Sequence, residues 1–189
     1  MALELAALQG RAQEFIETTT SYGLDAIEIS SSVAYLSART KLALAREVKA
    51  AGLSAFIELG RKGEAPPLTA AEVERHLELL EDAGADGLIV ESERIADMQQ
   101  QGLAEAFLEG CASLTSADRL VFELPYGLSF PQLEPLASRL FAILGPEVNI
   151  GNVEVRHVMA IETLRRGSCF GELFALVPTL EGSAFDARR

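Results

Sequence analysis

The sequence predicts a parallel α/β fold, a TIM-type (β/α)8 barrel with about six βα units present and its first two strands lacking. Two observations predict it. Short apolar runs bounded by glycine each end in a polar residue, and amphipathic stretches of helical period lie between them. Residues 23–62, GLDAIEISSSVAYLSARTKLALAREVKAAGLSAFIELGRK, hold the pattern in full. DAIEI and SAFIEL read as buried strands. Residues 37–51 between them place Leu42, Leu44, Ala45 and Val48 on an apolar face, with Arg39, Lys41, Arg46 and Lys49 elsewhere, and Gly52 closes the helix. Strand, helix and strand joined in this way form a parallel βαβ unit.

The unit recurs in architecture. GADGLIVE ends at Glu91, RLVFEL carries Glu123, and EVNIGN carries Asn149 and Asn152. The steps from Glu28 to Glu58, Glu91, Glu123 and Asn149 are 30, 33, 32 and 26 residues, about one βα unit each. Six parallel strands fall short of a complete barrel. A doubly wound sheet is disfavoured because no Gly-rich first turn is present.

Taken in order, residues 1–22 open without a complete strand, and a helix from about Gln9 turns Phe15 and Ile16 inward. After Glu58 a loop with Pro66 and Pro67 leads to Thr69, which with Glu72 makes a capping box for a helix whose inner face is Leu77, Leu79, Leu80 and Ala83. Residues 93–110 read as the next helix, loose at DMQQQG, and residues 131–144 as the one after the fourth strand. GPEVNIGNV is a short strand with a Gly–Asn corner. The last helix ends at Arg165–Arg166–Gly167, and LFALV reads as a final short strand. Residues 1–177 are thus expected to form one incomplete barrel domain and residues 178–189 a C-terminal tail.

At 189 residues and 49% hydrophobic, the chain can bury one sizeable core. A net charge of −12 argues against non-specific nucleic-acid or anionic-membrane binding, which need a basic field, but leaves room for a small anionic substrate met by local cations. Cys111 and Cys169 lack metal or disulfide spacing and are expected as reduced, partly buried thiols. No apolar run or leader pattern suggests a membrane span or export, so the cytoplasm is the expected compartment. His76 is expected at the surface and His157 as structural or exposed, which leaves a Ser–His–Asp arrangement without support.

The polar residues at the strand ends carry the functional reading. In parallel α/β folds ligands sit beyond the carboxyl ends of the strands. Glu28, Glu58, Glu91 and Glu123 converging there would repel one another unless a cation or raised pKa values relieve them. A cation site is therefore the first functional expectation. Arg61 and Lys62, just past a strand end, are placed either to hold a phosphate or carboxylate or to stand as solvated loop cations.

At DAIEIS, IELGRK, GADGLIVE, VFELP and VNIGNV, in that order and followed by ETLRRG, the chain resembles the phosphosulfolactate synthase family of coenzyme M biosynthesis, from Leu3 to about Phe174. The resemblance implies a (β/α)8 barrel lyase that adds sulfite to phosphoenolpyruvate with Mg²⁺, giving 2-phospho-3-sulfolactate through a Mg-stabilised enediolate. It implies Glu28, Glu91 and Glu123 as metal ligands and Glu58, Glu91 and Lys62 as catalytic residues. Arg61, Asn149, Gly151, Asn152 and Arg166 would bind substrate.

It also implies departures. The family's first strand, with its lysine, has no counterpart, and MALELA matches only the end of the second, with Glu4 at a glutamate position. Ser31 stands for an aspartate, Cys169 for an arginine, and Glu93 and Arg94 reverse an expected charge order. Two alternatives stay open beside the active synthase. One is an inactive family member, like its heat-stress-associated relatives, serving as a binding or stability protein. The other is a different barrel enzyme handling phosphoenolpyruvate or a phosphosugar. Unpaired sheet edges lead to an expected homo-oligomer or poor solubility.

Overall fold

The computed structural model describes residues 2–31, 36–59 and 67–167. Two helices open the chain, α1 (Ala2–Leu8) and α2 (Ala12–Ser21). Strand and helix then alternate through β1 (Ala26–Ile29), α3 (Ala38–Ala50), β2 (Ser54–Leu59), α4 (Ala70–Ala83) and β3 (Gly87–Val90). There follow α5 (Ser92–Gln100), α6 (Ala104–Ala112), β4 (Leu120–Glu123), α7 (Phe130–Leu144), β5 (Asn149–Gly151) and α8 (Val158–Arg165). The five strands form one sheet in the order β1-β2-β3-β4-β5, and every neighbouring pair is parallel. Successive βα units laid side by side give this order, which is compatible with a partial TIM-type barrel. The expected sixth strand, LFALV, lies outside the described residues, as does Cys169.

The helix ends follow local chemistry. Ser37 caps α3 by accepting the Thr40 N–H at 3.1 Å. Thr69 and Glu72 form the expected capping box of α4, and Gly84 closes that helix in the left-handed region at φ 66°. Ser129 and Gln132 cap α7 in the same manner.

Three expectations are corrected. MALELA is not the end of a strand: residues 2–8 are helical, with Leu3 and Glu4 buried. The helix expected over residues 93–110 is two helices. Gly102 at φ 71° ends the first, and the Leu103 N–H returns to the Met98 carbonyl at 2.8 Å. Cys111 is fully buried, and burial pushes its thiol up to about 12, so it is an inert core residue.

Alternation along the strands divides the sheet into two unlike faces. Ile27, Ile29, Ala55, Ile57, Leu59, Leu88, Val90, Leu120, Phe122 and Leu124 are all buried. Ile57, Leu59 and Leu88 meet Leu42 of α3 and Leu79 and Leu80 of α4 around one cavity, which identifies this as the helix-covered face. Their opposite numbers Phe56, Ile89 and Val121 line an open groove of about 530 Å³ with Asp86, Asp118 and Arg119 at the amino ends of the strands. Among the described residues no helix is long and apolar enough to cross a membrane.

The helix layer is close-packed where α6 crosses α4. A Cβ added at Gly110 would stand 2.6 Å from the Ala70 Cβ. Gly110→Val is therefore expected to force the two helices apart and destabilise the fold by about 2 kcal/mol, read as a lower urea midpoint with an unchanged slope.

Candidate active site

Residues paired across parallel strands share a face. Glu28 stands opposite Phe56, Phe56 opposite Gly87, Glu58 opposite Ile89, Ile89 opposite Val121, and Glu123 opposite Gly151. With side chains alternating, Glu28, Glu58, Glu91 and Glu123 fall on one face of the sheet, the face away from α3 and α4. They stand at or next to the carboxyl ends of β1 to β4. Glu58 and Glu91 are buried, Glu123 is half-buried and Glu28 is exposed.

The electrostatics confirm the proximity. Burial pushes the Glu58 carboxyl up to about 7, and the charges of Glu28, Glu91 and Glu123 add to that push, while the Lys41 ammonium opposes it. Near neutral pH this carboxyl is divided between its protonated and ionised forms, the state suited to proton transfer. The register also explains Gly151. A Cβ there would lie 3.1 Å from the Val121 Cγ1 and 3.6 Å from the Glu123 Cγ, so a larger residue would crowd Val121 and sit in contact with Glu123.

Lys41 was legible only as a solvent-facing cation, and the structure buries it. Positions 41, 44, 45 and 48 make a single helical stripe, so the spacing of the apolar residues already pointed to it. Its Nζ crosses from α3 to donate to the Glu58 carbonyl at 2.7 Å. Burial lowers its pKa, while the charges of Glu58, Glu4 and Glu28 hold it up. Glu4, delivered by α1, is thus a further carboxylate near the same ammonium and is almost wholly buried. Arg94, in the first turn of α5 after Glu91, is a second buried cation, with Asp97 at 3.8 Å.

Other expected site residues lie elsewhere. The Asn149 side chain donates to the carbonyls of Asp118 and Leu120 at 2.8 and 3.2 Å, which puts it at the amino ends of β4 and β5, away from the glutamates. Arg166 is exposed and bonded to Glu162 at 2.7 Å. Its neighbour Arg165 donates to the carbonyls of Pro146 and Val148, at the amino end of β5, so Arg166 too is remote from the carboxylates. Asn152 follows β5 at its carboxyl end with φ 62°, the left-handed corner expected there. Arg61 and Lys62 lie outside the described residues.

The histidines are structural in different ways. His76 is half-buried rather than on the surface. Its Nδ1–H donates to the Glu72 carbonyl at 2.7 Å, and its ring lines a cavity of about 150 Å³ beside Lys41 and Glu58. His157 is buried, its Nε2–H donating to the Leu128 carbonyl at 3.0 Å.

Among the described residues no three His, Cys, Asp or Glu side chains come close enough together to cage a metal ion. The donors present are hard carboxylate oxygens on successive strands. Oxygens of this kind suit a hard divalent cation held by one or two carboxylates, with substrate and water completing its shell.

A model of the (2R)-phospho-3-sulfolactate synthase (ComA) family matches residues 1–170. The chain belongs to that family. It is similar to phosphosulfolactate synthases from Methanocaldococcus jannaschii, at 27% identity, and Methanothermobacter thermautotrophicus, at 24%. Each alignment covers 87% of this chain. The chain spans 65% and 64% of the lengths of these two relatives, respectively. The family match agrees with the resemblance seen in the strand-end motifs, and the glutamates of those motifs share one sheet face in this member of the phosphosulfolactate synthase family.

Folded Glu58 holds its proton more tightly than the unfolded chain, whose value is near 4.5. The stability this confers is full below that value and is lost as the pH rises through about 7. The loss is on the order of 3 kcal/mol across the window. Melting Glu58→Gln beside the parent chain at pH 5 and pH 8 is expected to show most of this fall in the parent and little in the variant.

Proposed function

We propose that the chain is a phosphosulfolactate synthase-like lyase that adds sulfite to phosphoenolpyruvate to give 2-phospho-3-sulfolactate. The observation that carries this reading is Glu58: a buried carboxyl poised near neutrality, on the face it shares with three other glutamates, in a chain of this family.

The reaction needs one bond formed to carbon and one proton delivered. The sulfite sulfur lone pair forms a C–S bond to the methylene carbon. The π pair moves toward the carboxylate-bearing carbon, which then takes a proton, and the phosphate ester stays intact. In this reading protonated Glu58 supplies that proton, recovers one from water, and lies within the field of the other strand-end carboxylates. Of the expected ligands Glu28, Glu91 and Glu123, one or two would hold a Mg²⁺ ion with substrate and water oxygens, to supply positive charge where negative charge gathers on the substrate carboxylate. Glu91 has a place in both groups, since it is the most buried of the four glutamates. Arg61 and Lys62, which follow β2 in the chain, are assigned to the substrate's anionic groups, with Lys62 a second candidate donor. Gly151 and Asn152 are assigned to the phosphate end. Asn149 and Arg166 are left out of the reading because of where they lie.

A second reading, a family member without turnover that serves as a binding or stability protein, is favoured by Asn149 and Arg166, two expected substrate residues that lie away from the glutamates.

Incubation with phosphoenolpyruvate, sulfite and Mg²⁺, followed by phosphorus NMR, is expected to show Mg²⁺-dependent conversion to a new phosphate ester. Glu58→Gln is expected to slow it by roughly 10²- to 10⁴-fold. Absence of conversion would favour the second reading, and full activity in the variant would remove Glu58 from the chemistry.

A further inference from the structure

Four glutamates on one sheet face, with Glu4 of α1 near them, place several negative charges within a small part of a strongly acidic chain. Something resident in the fold must offset them before any substrate or metal arrives, because like charges in a partly buried rim repel strongly. Among the described residues Lys41 and Arg94 are the buried cations at this end, and Lys41 is the one bonded to the end of β2. It reaches the rim from the helix-covered side, through the layer that holds Leu36, Leu42, Ile57 and Leu59. Its Nζ ends on the Glu58 carbonyl.

We propose that Lys41 is the positioning residue of the carboxylate end, the built-in cation that holds the end of β2 within the fields of Glu4, Glu28 and Glu58. The charged groups acting on it come from α1 (Glu4), β1 (Glu28) and β2 (Glu58), while α4 presents His76 at the wall of the same cavity. Lys41 acts in two separable ways. Its hydrogen bond takes up the Glu58 backbone carbonyl near the end of β2. Its charge neutralises the Glu58 carboxylate, so that an anionic substrate meets a less negative rim. The second effect is what distinguishes a positioning residue of the site from a piece of packing. It lowers the cost of ionising Glu58, against the opposing effects of burial and of Glu28 and Glu91.

The proposal rests on the proposed function only in taking this rim as the working site, and its test uses no substrate, so the two can fail separately. Lys41→Met is made in the parent chain and in Glu58→Gln, and all four proteins are melted at pH 8. Glu58→Gln keeps the backbone carbonyl and removes the charge, so the double-mutant cycle isolates the charge coupling. Lys41→Met is expected to lower the melting temperature by roughly 5 °C or more in the parent chain. In the Glu58→Gln background the drop is expected to be clearly smaller.

Two further variants cover the case in which Lys41→Met does not fold. Lys41→Arg, which keeps the charge, is expected to melt well above Lys41→Gln, which keeps a donor but no charge. An equal drop in both backgrounds, or Lys41→Gln melting as high as Lys41→Arg, would overturn the proposal and leave Lys41 as a packing residue.

Discussion

The structure depends on a tolerated repulsion. Parallel strands of similar length, each ending in a glutamate, bring those glutamates to one rim because sheet geometry leaves them nowhere else to go. Glu58 shows the cost, since burial and its neighbours make its ionised form unfavourable near neutral pH. The fold meets that cost in two ways, with the proton that Glu58 retains and with the ammonium of Lys41. Both responses are also chemical equipment. A carboxyl that can hold or release a proton and a cation that leaves the rim less negative are what an addition to an anionic alkene requires.

The strands were legible because each is a short apolar run closed by a polar residue, three of the four with glycine shortly before them. Residues 26–29, 54–59, 87–90 and 120–123 fall inside the runs DAIEI, SAFIEL, GLIVE and RLVFEL. The shared face of the four glutamates follows from strand parallelism and register, and the sequence supported the first of these directly. Lys41 was misjudged for a physical reason. Charge was taken as a sign of exposure, whereas a lysine has a long apolar stem and can end on a buried carbonyl. Its place on the stripe of Leu44, Ala45 and Val48 was the better guide.

Other misreadings have similarly local causes. The break at Gly102 was hidden because the residues on both sides favour helix, and a left-handed glycine is the only local sign of the turn. The helix at residues 2–8 was obscured by its likeness to a family segment that ends a strand, where composition alone does not separate the two states. Arg166 was placed by motif, yet it caps a helix running antiparallel to β5 and so lies at the end of the sheet away from the glutamates. Strand-end residues can be read from sequence more readily than residues whose position depends on the length of a preceding helix.

The tie made by Asn149 has a consequence for accuracy of assembly. β5 is only three residues long and has few backbone bonds with which to choose its alignment on β4. A slip of one position would turn Ile150 toward the carboxylates and bury an amide where an aliphatic group belongs. By bonding two carbonyls at the start of β4, those of Asp118 and Leu120, the asparagine acts as a gauge block against the misaligned pairing. A residue remote from the carboxylates thereby decides which side chains of β5 face them.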